Sequence, residues 1–460
     1  MSQKAVGTDN IFLSGSLPKL FAKTASPIIL MMLVNGLFNL IDAYFLGVFV
    51  GPRELTAVTL MFPLFMLLIA FSTWVSSGFA SVFSRLLGAG DTKAAGASYF
   101  EALALSAIVC LFLMLVFSWG GSMVTTWAAK GDLELAGFGY AYMSILIYGS
   151  AVGFFLAVSS DVMRCSGRAG VVALFSITGV ALNVVFNYVF IVQLNWGVAG
   201  SAYGTLAAQT CSALAFLIYL AFIGNSVVKL EHIKEVTTKN WRAFIALGAP
   251  FSLGYIGVSL MSVATIFSLQ LWGGDNYEVQ AGAYGIITRF LTFTFLPMLG
   301  VSLALQSIVG NNYGAGDMQR TGQAFKVVLG IAIVYCVGVQ IFYYLTADML
   351  GYLFVEDVAI AAEASKILRI CTMGLFLFGP TMMVGTYFQA IGDAKRSSIL
   401  NLSRNYLFSI PLMLVVPAIV GGDSIWYVMP VTEVLVALLT LVVVATGPKG
   451  KGNLWQVARA

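Results

Sequence analysis

Twelve apolar stretches, each near or above the roughly 20 residues a helix needs to cross a bilayer, leave this chain few folds to choose from. In lipid no water meets exposed N–H and C=O groups, so a spanning backbone closes its hydrogen bonds in helices or in a sealed barrel. The stretches do not alternate apolar with polar residues, which selects helices. Of the 460 residues 59% are hydrophobic and 10% charged, a composition far from that of a soluble domain. The expected fold is an all-α polytopic membrane protein.

The spans are expected at 18–50, 54–87, 94–119, 135–164, 170–193 and 199–224, then 242–273, 278–311, 319–346, 358–390, 396–420 and 424–446. With the N-terminus inside, cytoplasmic loops and ends hold 19 of the 24 lysines and arginines, Arg404 among them, and the opposite loops hold only Arg53 and Lys130. That asymmetry follows the positive-inside rule and predicts both termini in the cytoplasm; the plasma (inner) membrane is the expected location. It also explains the net charge of +4 without nucleic acid. The five cysteines form no C-x-x-C pair and His232 is the only histidine, so disulfides, zinc and haem are not expected. Residues 1–16 show no cleavable signal pattern.

Three landmarks recur at a near-constant offset. Pro27 and Pro250 open the first span of each half, 223 residues apart. Gly88-Ala-Gly-Asp91 and Gly314-Ala-Gly-Asp317 follow the second span, 226 apart, and Gly167 and Gly392 follow the fourth, 225 apart. Three ordered matches imply a duplication: a first lobe at 1–225, a charged linker at 226–241, and a second lobe with its tail at 242–460. Two parallel six-span repeats form two pseudo-symmetric bundles, the architecture of alternating-access transporters.

Asp42 lies fifteen residues after Pro27, about 22 Å along the same helix. A carboxylate at that depth is costly and marks a functional site. Its repeat counterpart is Thr265, so the acid belongs to the first half alone. Asn183 and Asn187, at i and i+4, share one helix face. The bland readings are a structural acid for Asp42, interhelical hydrogen bonding for the asparagines and simple packing for Thr205.

Together with these features, Leu-Asn183-Val-Val-Phe-Asn187-Tyr-Val-Phe-Ile and Phe-Gln-Ala-Ile-Gly-Asp-Ala-Lys after span ten make the whole chain resemble the multidrug and toxic compound extrusion (MATE) family, closer to its DinF-type branch. The resemblance implies twelve transmembrane helices in two six-helix bundles and a cation-coupled antiporter that expels small amphipathic, often cationic compounds. It implies a coupling site of Asp42, Asn183, Asn187 and Thr205, with sodium, if sodium is the ion, on Asp42, Asn183 and Thr205. Asn187 stands where the branch has an aspartate and Phe38 where a tyrosine is frequent, which moves the expectation from sodium toward protons. No carboxylate appears at the depths where the NorM-type branch carries its second-lobe acids.

Desolvation favours the neutral form of a buried carboxyl, so Asp42 can take up a proton, and Pro27 offers a place for the helix to bend. Met31, Met32, Phe38, Asn39, Tyr140 and Tyr142 are the substrate-cavity candidates, against the reading that such residues pack or face lipid. Asp161 and Arg164 suit a local ion pair and Glu101 an interfacial place; Arg289 and Glu433 lie deeper in their spans, no sequence rule pairs them, and the readings are a structural bridge in the second lobe or a second polar site. The G-A-G-D turns are too short for a phosphate loop, and the absence of paired carboxylates or clustered His and Cys argues against an enzyme or a cofactor. The alternative within transport is a lipid-linked oligosaccharide flippase, although only Arg289, Lys366 and Arg369 lie within spans. A monomer in the bilayer is expected.

Overall fold

The structure, a computed structural model, describes residues 10–222, 227–352 and 357–446; the side chains of 37–40, 221–222, 230 and 275 lie outside that description. Among the described residues ten helices are long and apolar enough to cross a membrane, and two bent pairs bring the number to twelve. In the first half these are α1 (Leu17–Phe45), the short α2 (Pro52–Leu60), α3 (Phe62–Gly88), α4 (Thr92–Ala128), α5 (Leu133–Tyr148), α6 (Ser150–Cys165), α7 (Ala169–Asn187) and α8 (Gly197–Phe222). The second half has α9 (Trp241–Trp272), α10 (Tyr277–Gly314), α11 (Met318–Tyr352), α12 (Val358–Cys371), α13 (Leu375–Ile391), α14 (Ala394–Leu402), α15 (Ile410–Val420) and α16 (Val428–Ala445).

Three expected spans are not single helices. The span expected at 54–87 divides at Met61, where Pro63 in the first turn of α3 has no N–H to continue the ladder from α2. The spans expected at 135–164 and 358–390 bend by 48° at Gly149 and by 52° at Thr372–Gly374. Gly149 and Gly374 are 225 residues apart, so the joints obey the same offset as the landmarks. The second joint is closed by a side chain: Gln340 of α11 donates to the Met373 carbonyl at 3.2 Å and accepts the Phe376 amide at 3.1 Å. It satisfies backbone groups that the break strands, which lipid would leave unpaired.

The G-A-G-D landmarks are stop-and-start signals. Gly90 and Gly316 take φ of +76° and +80°, the left-handed conformation that ends a helix, and the Asp91 and Asp317 amides bond back to the Leu86 and Asn312 carbonyls. The Asp91 and Asp317 carboxylates then accept from the Ala94 and Arg320 amides at 2.9 and 2.8 Å and so start the next helix. Both repeats thus turn from one span to the next in four residues by one mechanism.

The chain forms two compact units: Met1–Ser14 with Lys23–Ser252, and Gly15–Ala22 with Leu253–Ala460. The linker and the start of α9 belong to the first unit. His232 is buried over Gly96, where a Cβ would fall 2.0 Å from its Nδ1, so the only histidine is packed although it lies in the charged linker. Glu101, expected at the interface, is buried beneath the linker; its Oε1 accepts from the Thr237 amide and hydroxyl at 3.2 and 2.7 Å. Lys93 pairs with Glu235. Beyond the linker, Trp74 Nε1 donates to the Ile245 carbonyl at 2.9 Å, and Gly78 and Gly248 admit the backbones of Phe244 and Trp74 where any Cβ would collide. In the second unit, the leader of α1 lies on α11, with Arg320 Nη1 donating to the Gly15 carbonyl at 3.0 Å.

Candidate functional site

The site forms in the first unit where α1, α7 and α8 meet. Asp42, Asn183, Asn187 and Thr205 are all buried, the two asparagines completely. Asn187 Nδ2 donates to Asp42 Oδ1 and lies 3.2 Å from Asn183 Oδ1. Thr205 Oγ1 is 3.4 Å from Asp42 Oδ2 and accepts from Asn183 Nδ2 at 3.3 Å. The four residues expected from the sequence therefore form one connected cluster, and among the described residues each hydrogen-bond donor that reaches the carboxylate is uncharged.

Local structure explains the assembly. The asparagines are one turn apart on α7, and Gly204 lets α8 come close enough to bring Thr205 in: a Cβ there would sit 2.2 Å from Asn187 Oδ1. Asn187 Oδ1 has no hydrogen-bond partner among the described residues and lies buried against that glycine. Immediately beyond the site both carrier helices widen, α1 into the π-helical turn Leu46–Val50 and α7 into Tyr188–Gln193. Such turns concentrate at functional sites. They have no sequence signature and escaped the sequence reading, as did Gly204.

Pro27 is half-buried inside α1 and removes one intrahelical donor, which permits a bend there. Between Pro27 and Asp42, Ser176 of α7 donates to Asn35 Oδ1 at 2.9 Å. Among the cavity candidates, Met31 and Met32 are half-buried. Tyr142 is buried in an apolar core with Met61, Phe117, Met143 and Leu146, and Tyr140 stacks on Phe117 with ring centres 5.3 Å apart. Phe38 and Asn39 lie outside the described side chains. Asp161 and Arg164 form the expected ion pair at 2.8 Å.

The second unit corrects the sequence reading. Glu433 pairs with Arg404 at 3.1 Å, not with Arg289, and Arg404 lies inside a span, not in a cytoplasmic loop. Arg404 also donates to Thr381 Oγ1 at 2.7 Å and covers the Phe378 ring at 4.4 Å. Its helix has a π-helical stretch at Ser403–Ser409, which places the guanidinium between α13 and α16. Glu433 in turn packs on Gly374, at the joint of the broken span. Positive-inside counting placed Arg404 in a loop because it stands only eight residues from Arg396.

Comparison with known proteins bears on the family and the fold. The MatE family model matches residues 27–189 and 250–415, one block in each repeat. The chain belongs to the MatE family. The multidrug export protein MepA of Staphylococcus aureus (strain NCTC 8325 / PS 47) is 24% identical over 422 residues, 91% of each chain. MepA of Staphylococcus haemolyticus (strain JCSC1435) is 22% identical over 94% of each. Among solved structures, the outward-facing conformation of a multidrug resistance MATE family transporter superposes with a TM-score of 0.84 at 25% identity, covering 95% of this chain and 97% of that one. A MOP superfamily transporter from Pyrococcus furiosus Vc1 superposes with a TM-score of 0.86 at 24% identity over 95% and 97%. The twelve-span, two-repeat MatE fold is thus the fold of this chain.

Proposed function

We propose that this chain is a secondary multidrug efflux antiporter of the plasma membrane that exchanges protons for amphipathic, often cationic compounds by alternating access, with Asp42 as the coupling acid and both termini cytoplasmic. The relatives named as multidrug export proteins support the substrate class. The observation that carries the coupling is the Asp42 cluster: a buried carboxylate within a membrane span whose hydrogen-bond donors, Asn187 and Thr205, are neutral. With no cation among those partners, its charge is available to a proton or to an organic cation, and the two compete for one anion.

The cluster favours a proton over sodium. Asn187 presents its amide nitrogen to Asp42 and Asn183 presents its own to Thr205, so the amides donate toward the site, whereas a metal ion needs their oxygens. On proton uptake the Asn187 and Thr205 bonds to Asp42 weaken, and α1 bends at Pro27. The relatives named as export proteins do not favour the flippase alternative.

The test is dye transport in proteoliposomes under an imposed pH gradient and then a sodium gradient. Ethidium movement driven by the pH gradient and lost in Asp42→Asn supports the reading. Movement driven by sodium alone, and lost in Asn183→Ala and Thr205→Ala, would assign sodium to Asp42, Asn183 and Thr205. Full pH-driven transport by Asp42→Asn would overturn the coupling role.

A further inference from the structure

Each repeat places a segment against the first turns of a long helix, and the two arrangements differ in one respect. In the first unit, α4 is covered by the linker, whose short helical turn Leu230–Glu235 brings His232 over Gly96 and Glu235 to Lys93. In the second unit, the leader of α1 reaches α11 and leaves beside it a cavity of about 460 Å³. Its walls include Gly15, Ser16, Pro18, Arg320, Gln323 and Lys326, and none of its eight lining residues is acidic. The residues 226 positions before Arg320 and Lys326 are Ala94 and Phe100, so the cations are peculiar to the second repeat.

The chemistry of the walls is that of an anion site. Arg320 is fixed at the cavity by its bond to the Gly15 carbonyl, and Lys326, less than two turns further along α11, is exposed. Ser16 and Gln323 add neutral hydrogen-bonding groups. The start of α11 is already capped by Asp317, so the attraction comes from side chains and not from the helix terminus. Positive-inside sorting assigns this end of the unit to the cytoplasmic interface, where basic pockets beside spanning helices meet anionic headgroups.

We propose that this cavity binds a phosphate-bearing anion, with Arg320 and Lys326 pairing to its oxygens. A phospholipid headgroup and a soluble glycerol phosphate share that chemistry. Occupancy links the leader of α1 to α11 through the ligand, and so secures the helix below Pro27. The assignment does not depend on what the protein transports.

The test uses the purified full chain in detergent. Retention of phosphatidylglycerol against phosphatidylcholine is measured by native mass spectrometry, and stabilisation by glycerol 3-phosphate or inorganic phosphate by thermal shift. A cation near an anionic surface is worth roughly fivefold in binding, so Lys326→Gln should retain roughly fivefold less of the anion and Arg320→Gln/Lys326→Gln roughly 25-fold less. Because Arg320 also holds the leader, Lys326→Gln alone keeps the test meaningful if the double variant does not fold. Loss of phosphatidylglycerol without any effect of the soluble phosphates supports a headgroup; stabilisation by soluble phosphate that the variants abolish supports a soluble ligand. Losses no larger than those of Lys229→Gln/Lys234→Gln, which removes two linker cations, would overturn the site.

Discussion

Gly149 and Gly374 occupy the same joint of the two repeats, yet the joints are held differently. Gly374 lies against Glu433 on one side, and the carbonyl and amide that the joint strands are both taken by Gln340. Gly149 lies against the apolar Leu206, and the residue 225 positions before Gln340 is Leu115. The second joint has its hydrogen bonds completed by a neighbouring helix, and it is the more strongly specified of the two.

Gln340→Leu should therefore destabilise the protein by about 1–3 kcal/mol, the cost of leaving backbone polar groups unpaired where lipid offers them no water. Gln340→Glu, which keeps an acceptor for the Phe376 amide but no donor for the Met373 carbonyl, should also lower stability. Thermal unfolding followed by far-UV circular dichroism in detergent reads both changes. A Gln340→Leu protein as stable as the parent would show that the joint does not depend on this side chain.

Gly204→Ala should damage the Asp42 cluster without removing any of its members. The added Cβ meets Asn187 Oδ1 at 2.2 Å and the Asn187 backbone nitrogen at 3.2 Å, so the Asn187 side chain must move or α7 and α8 must separate. Overpacking of this kind costs about 1–3 kcal/mol. Transport activity should fall at least tenfold, because Asp42 then loses the register of its donors. The observable is initial dye efflux rate per folded protein.

Removing one member of the Arg404–Glu433 pair should cost more than removing both. Arg404→Met leaves Glu433 charged and without its cation, at about 3–5 kcal/mol. Arg404→Met/Glu433→Leu should recover most of that loss. A double-mutant cycle in which the single and double variants are equally unstable would place the stabilisation elsewhere, in the contacts of Arg404 with Thr381 and Phe378.

Asp132, at the turn between α4 and α5, gives a prediction in pH. The Leu135 amide foremost, then Arg53 and the Glu134 amide, hold its carboxyl below the ordinary aspartate value. A carboxyl with a depressed folded value contributes stability above its unfolded value and loses it as pH falls through the folded one. Asp132→Asn should thus differ from the parent at neutral pH and converge with it in acid below the ordinary aspartate range. Melting temperatures measured across that range check the sign.

Much of this architecture was legible in the sequence because lipid imposes few rules. Apolar run length set the number of spans, and the landmark offset revealed the repeat. Asp42 stood out because a carboxylate is expensive at that depth, and the i, i+4 spacing put Asn183 and Asn187 on one face. What escaped depends on geometry without a local signature. The widened turns after Asp42 and Asn187 carry no residue pattern that marks them. The Arg404–Glu433 pair needs 28 intervening residues to fold back, and charge sorting had already assigned Arg404 to a loop.

The membership of the leader and of the start of α9 bears on the order in which this protein can be made. Residues 241–252 fill the notches beside Gly78 and Trp74, so the first six spans leave the ribosome with those notches still open. Gly15 waits longer, because the arginine that takes its carbonyl is synthesised 305 residues later. The first helix to enter the membrane is therefore among the last to be completed, and neither repeat reaches its final packing before the other has begun to emerge.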